Sequence, residues 1–296
     1  MASRMILVSL LAEKQEFQQL QAEDARQAGA RTGFEVQVIW ANNNPTAQFQ
    51  DIMQALSAPE GARPAAVVVE PAAAAGFDGA ARAAAQAGVS WIYLTDRPAT
   101  LERLQREFPN RLIASVGMDN DEVGRLQAKQ FRALLPSGGR MVYVEGPSLS
   151  FAAMHRRKLM EEGLTGSGIE VVKVLSGDWT EESAERAATR WLKLGAKGDP
   201  PLLVGGQNDE MALGVRKAFL ALRAEWNHVL FTGVDGLPQG GQRAVREKVL
   251  AATIILPPPT GPAVELVSRS QRGEPAAPFT LLPPRPFPAI EELRRA

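Results

Sequence analysis

The feature that most constrains this 296-residue chain is an alternation of two kinds of segment. Short runs that are apolar along their whole length are separated by longer, Ala-rich stretches of helical period. The apolar runs are MILVSL (5–10), FEVQVIW (34–40), AAVVVE (65–70), SWIYLT (90–95) and LIASVG (112–117). RMVYVE (140–145), IEVVKVL (169–175), PLLVGG (201–206), HVLFTGV (228–234) and LAATII (250–255) follow. Between most of them the period predicts helices, at 13–31, 46–58, 76–87, 119–135, 151–164, 181–195 and 208–224. A strand without a polar face belongs to a sheet covered on both sides, and regular β-α-β order points to the same parallel α/β class. Roughly ten strands are too many for one compact sheet, so two doubly wound lobes are expected. The proline-rich PFTLLPPRPFP (278–288) reads as an extended strand or a strap.

Composition narrows the function classes. Lys and Arg total 33, Asp and Glu total 33, and no long one-sign block stands out, so nucleic acid is not an expected partner of this chain alone. There is no cysteine, which excludes a disulfide framework, a thiolate metal site and a cysteine nucleophile. The two histidines, His155 and His228, lie far apart and do not make a metal cluster. No stretch reaches the ~18–20 apolar residues of a membrane span, so membrane insertion is not expected. The apolar run from Met5 to Ala12 is shorter than a secretory signal requires and reads as a first buried strand.

In doubly wound sheets, ligands bind beyond the carboxyl ends of the strands. The polar residues that follow each strand are therefore the candidates. After the first strand come Glu13 and Lys14, with Phe17 one turn on; after the third comes Glu70, and after the fourth Asp96 and Arg97. Gln207, Asn208 and Asp209 follow PLLVGG, and Asp235 with Gly236 follows HVLFTGV. Asp96 and Arg97 together offer an acceptor and a planar donor fork, matched to hydroxyls or a carboxylate, or else form a turn before Pro98. Asn208 suits neighbouring hydroxyls, or else caps the following helix. Asp235 before Gly236 is a ligand carboxylate or an Asx turn, and Glu70 a ligand acceptor or a rim charge. Phe17 and Trp179 would stack on the apolar face of a ring, or pack in the core. No GxSxG, GxxxxGK[ST] or HExxH is present, GARTGF (29–34) follows a helix rather than a strand, and nothing implies catalysis or a cofactor.

These residues bring a family into view. QNDEMALGVRKAF (207–219) with GVDGLPQGGQRAVREKVLAATI (233–254) resembles the ribose-binding type of periplasmic sugar-binding protein, whose two-lobed core also serves as the effector domain of LacI-type repressors. YLTDRPAT (93–100), VGMDNDEVGRLQA (116–128) and SGDWTEESA (176–184) extend the likeness over nearly the whole chain. The resemblance implies a type I fold, in which two parallel α/β lobes joined by three crossovers close over one small ligand. The expected lobes are 1–118 with 257–279 and 119–256 with 280–296, with crossings near Met118, Leu256 and Phe279. It also implies that Asp96, Arg97, Asn208 and Asp235 bond sugar hydroxyls and that Phe17 and Trp179 sandwich the ring. On this reading Asp209 is left as the helix cap.

The chain departs from the family's pattern at several positions. AEKQEF stands where an Asn-Pro-Phe-Phe type stretch is common, and Glu70 replaces a typical asparagine. Met154 occupies the place of a ligand arginine, with Arg156 and Arg157 nearby, and Leu256 that of a glutamine. Each unmet buried hydroxyl costs about 1–3 kcal/mol, so another sugar, a polyol or a similar small polar molecule is expected rather than unmodified ribose. The resemblance implies non-catalytic capture for an ABC transporter permease or a sensor protein, in the periplasm or cell envelope. The alternative is the effector-sensing domain of a LacI-type regulator or a signalling system. A missing export signal favours that alternative, and the missing helix-turn-helix before Met5 counts against a complete repressor.

Overall fold

The computed structural model describes residues 4–73, 76–95, 98–195 and 199–293. The chain divides into two compact units, 1–119 with 257–282 and 120–256 with 283–296.

Unit 1 is built on a parallel sheet of β1 (Met5–Leu10), β2 (Glu35–Trp40), β3 (Ala66–Val69), β4 (Ser90–Tyr93), β5 (Ile113–Met118) and β11 (Phe279–Leu282). Its strand order is β11-β5-β4-β3-β1-β2, and every pairing is parallel. The alternation of the pleat sorts the apolar runs onto two faces. Ile6, Val8, Leu10, Val68 and Val116 pack against α1 (Glu16–Thr32) and α10 (Thr260–Gln271). Leu7, Val67, Val69, Trp91 and Tyr93 face α2 (Pro45–Leu56), α3 (Asp78–Gln86) and α4 (Leu101–Glu107). Covering both faces is why these strands carry no polar side. β11 pairs with β5 along its full length, so the chain leaves the unit after Leu282, past the boundary expected at Phe279.

Unit 2 repeats the plan. β6 (Gly139–Glu145), β7 (Ile169–Ser176), β8 (Leu203–Gly206) and β9 (Leu230–Thr232) form a parallel sheet in the order β7-β6-β8-β9. Val142, Val144, Val204 and Phe231 pack with α7 (Glu181–Lys193) and α8 (Asp209–Leu222), while Met141, Tyr143 and Leu203 pack with α5 (Asn120–Leu134) and α6 (Phe151–Leu164). The short α9 (Gly241–Arg246) leads to β10 (Thr253–Ile255), which pairs antiparallel with β12 (Arg285–Phe287), and α11 (Ile290–Leu293) follows. The proline-rich tail thus serves as one strand in each unit. HVLFTGV yields a strand of three residues because its far end leaves the ladder for single bridges, Thr232 to Ala252 and Asp235 to Ile255.

Candidate functional site

In unit 1 the carboxyl ends of the strands are closed by helix side chains. Gln18 and Gln21 of α1 donate to the Glu70 carboxylate at 2.9 and 2.7 Å. Gln48 of α2 donates to Ser9 Oγ (3.0 Å) and to the Glu70 carbonyl (2.8 Å), and accepts from the Ala72 amide (2.9 Å). Glu70, chosen from its place after a strand, is therefore the centre of a glutamine cage. All three glutamines are buried, and each sits on the apolar stripe of its helix. Phe17 is buried near the start of α1. Ser115 Oγ donates to the Thr95 carbonyl at 2.5 Å, which anchors the end of β4. Asp96 and Arg97 come next and lie outside the described residues.

In unit 2 the strand ends converge on Trp179. Its indole lies over Gly146, where a Cβ would collide with the ring, and the Arg156 guanidinium stands 5.7 Å from the ring centroid. Arg156 is 4% exposed; its Nε donates to Asn120 Oδ1 (2.9 Å) and an Nη to the Gln207 carbonyl (2.7 Å). Gln207 accepts from the Gly146 amide (2.9 Å) and donates to the Ala153 carbonyl (2.8 Å). One shell further in, Tyr143 donates to Gln127 (2.8 Å), which donates to the Gly206 carbonyl (2.9 Å). Burial pushes the Tyr143 hydroxyl well above its ordinary pKa, so it stays protonated as a donor.

Asn208 corrects one expectation. It is the N-cap of α8, accepting from the Met211 amide at 2.9 Å, while its Nδ2 donates to the Trp179 carbonyl at 2.8 Å. The cap is therefore Asn208, because its extended backbone turns the side chain back over the first turn of the helix. Asp209 is already helical and points inward, accepting from the Gly236 amide (2.8 Å) and Thr253 Oγ1 (2.6 Å). Asp235 stands at φ +102°, with its amide bonded to the Ile254 carbonyl (2.9 Å) and its carbonyl accepting from Leu256 (3.1 Å). Leu256 is buried and meets Asp235 through its backbone amide.

Met154 is 51% exposed and stands off the buried stripe of α6, lining an open surface cavity with Glu145, Gly146, Ala153, Arg157 and Lys158. That stripe is Ala153, Arg156, Met160 and Leu164. The arginine beside Trp179 is Arg156, two positions beyond Met154 and on the buried stripe. The signal that finds Arg156, and likewise Gln18, Gln21 and Gln48, is a polar residue on an apolar helical stripe next to a sheet edge. Among the described residues, no group of three His, Asp or Glu is placed to hold a metal ion.

A family model described as the periplasmic binding protein domain matches residues 6–263. The chain belongs to this family. Within it, the chain is 26% identical over 206 residues to a provisionally named rhizopine-binding protein of Rhizobium meliloti, covering 69% of this chain and 63% of that one. It is 27% identical over 158 residues to a D-ribose/D-allose-binding protein of Pseudomonas aeruginosa, covering 53% of this chain and 47% of the relative. The matched stretches thus span about half to two thirds of the relatives' lengths. Among solved structures, the fold is that of the Caulobacter myo-inositol binding protein, with a TM-score of 0.82 at 23% identity, covering 99% of this chain and 95% of that one. A galactofuranose binding protein gives a TM-score of 0.84 at 17% identity, covering 98% and 96%. These two likenesses establish the fold of the periplasmic binding protein domain here. Among the described residues, no helix is long and apolar enough to cross a membrane.

Proposed function

We propose that the protein captures a small polyhydroxylated molecule, a sugar or a cyclic polyol, without transforming it, and supplies it to an ABC importer from the periplasm or cell envelope. The observation that carries this reading is the Trp179 ring with the buried Arg156 guanidinium 5.7 Å from it, at the ligand-facing ends of a doubly wound sheet. An aromatic face is matched to the apolar face of a ring, and Arg156, bonded to Asn120 and the Gln207 carbonyl, holds that face in place. Asn208, whose amide nitrogen carries a second hydrogen beyond its bond to Trp179, and Asp235 complete the contacts of unit 2. Within unit 1, considered by itself, the proposed ligand residues are Phe17, Glu70, Asp96 and Arg97. In this reading Arg156 replaces Met154, and Leu256 acts through its amide on Asp235. The relatives' names specify binding proteins for rhizopine, ribose and allose, one of them for ribose import, which supports capture for import over a LacI-type effector role.

The test is calorimetry and thermal shift over a panel of pentoses, hexoses and inositols. One member is expected to bind and, at about 100-fold excess over its Kd, to stabilise the protein by about 2.7 kcal/mol. Arg156→Ala and Trp179→Ala are each expected to weaken that ligand at least ~10-fold, about 1.4 kcal/mol, while Met154→Ala leaves it unchanged. A panel without a hit, or an intact affinity in Trp179→Ala, sinks the reading. Hinge closure, implied by the resemblance, belongs to the same proposal and is checked by a smaller radius of gyration in scattering when ligand is added.

A further inference from the structure

We infer that Gln207-Asn208-Asp209 is a positioning hub for the ligand-facing edge of unit 2, and that Asp209 sets the loop carrying Asp235. The inference deepens the ligand reading above and rests on it for the role of Asp235. Each of the three consecutive side chains addresses a different connection. Gln207 holds the segment after β6, through the Gly146 amide and the Ala153 carbonyl, and its own carbonyl receives Arg156. Asn208 holds the segment after β7 through the Trp179 carbonyl. Asp209 holds the segment after β9 through the Gly236 amide, and β10 through Thr253. Three neighbouring residues diverge in this way because the chain passes from extended backbone at Asn208 into helix at Asp209.

The third arm is the most specialised. Asp209 is 5% exposed and sits in the first turn of α8, where the positive end of the helix favours a carboxylate. Room for it depends on Gly241, where a Cβ would collide with the carboxylate. Asp235 and Gly236 both adopt left-handed backbone, φ +102° and +57°, which is sparsely populated for Asp235. The Asp209 carboxylate takes the amide that follows, and its own amide bonds the Val234 carbonyl at 2.7 Å, so the strained pair is clamped on both sides. Loosening the clamp lowers the population of the binding-competent loop, and apparent affinity falls by the same factor.

Hydrogen-exchange mass spectrometry on the full chain, without ligand, tests the hub. Asp209→Asn is expected to raise exchange over 233–241 about 10-fold and leave 146–153 unchanged, while Gln207→Leu does the reverse. Thr253→Val, which removes one donor to Asp209, is expected to raise exchange over 233–241 by a smaller factor and decides the matter if Asp209→Asn does not fold. Equal rises in both segments, or none at 233–241, overturn the hub. With the ligand from the panel, Asp209→Asn is expected to weaken binding about 10-fold, an effect that disappears in an Asp235→Ala background. Additive losses overturn the action through Asp235. A panel without a hit removes the ligand reading, and the exchange data still decide the hub.

Discussion

The two sheet edges solve the same problem in opposite ways. In unit 1, the residue at the strand end, Glu70, is held by glutamines that reach in from two helices, Gln18 and Gln21 from one and Gln48 from the other. In unit 2, the holding residues are themselves at the strand end: Gln207, Asn208 and Asp209 reach outward to three loops. The carboxylate is central in both, but Asp209 is buried and bonded to a backbone amide and a hydroxyl, whereas Glu70 is half-buried and bonded to side-chain amides. A side-chain amide can rotate about its own bonds when its acceptor is lost, whereas a backbone amide in a fixed loop cannot. The edge of unit 2 should therefore be the more brittle.

That difference has a measurable size. Asp209→Ala is expected to lower unfolding free energy by about 3 kcal/mol, since it strands a buried amide and a buried hydroxyl, while Glu70→Ala costs about 1 kcal/mol. Urea denaturation of both variants checks this, and equal losses would break the contrast. Gln48→Leu is expected to cost about 2 kcal/mol in the same measurement, because the Ala72 amide, Ser9 and the Glu70 carbonyl lose one common partner. Glu70→Gln keeps an acceptor oxygen for Gln18 and Gln21 and is expected to stay within about 1 kcal/mol of wild type.

The smallest effect concerns Asp178, beside Trp179. Burial pushes its carboxyl up, but hydrogen bonds from Thr180 and Ser183 and the charge of Arg186 outweigh this and hold it below the usual carboxylate range. A pKa lowered by folding contributes stability above the unfolded value, about 3.9, and loses it as pH falls through the folded value. Asp178→Asn should therefore flatten the loss of thermal stability below about pH 4 relative to wild type. An unchanged acid profile in Asp178→Asn would remove this contribution.

Much of the fold was legible in the chain because burial on both faces writes itself as uninterrupted apolar runs. MILVSL became β1 at its expected bounds, and the helix at 151–164 appears unchanged as α6. The helices α4, α9, α10 and α11 were not anticipated. α4 and α9 are short, at 7 and 6 residues, and α10 opens directly after a run of prolines, Pro257 to Pro259, whose composition reads as loop. At the candidate site, strand-end position put Asn208 among the candidates, and Trp179 entered only as an aromatic able to stack on a ring. Position was not enough to separate Asn208 from Asp209 as the cap, since both side chains suit that place and only the backbone angle at the junction decides.

By itself, the sequence determined the class of sheet, the order of its elements and the strand ends where polar groups gather, because those follow from periodicity along the chain. Only the tertiary structure decided which polar groups hold others in place. Arg156 reaches Trp179, three glutamines close around Glu70, and Asp209 grips Gly236 across an interval of 27 residues. Such pairings depend on which helical face meets which sheet edge, and a linear pattern carries the face but not its neighbour.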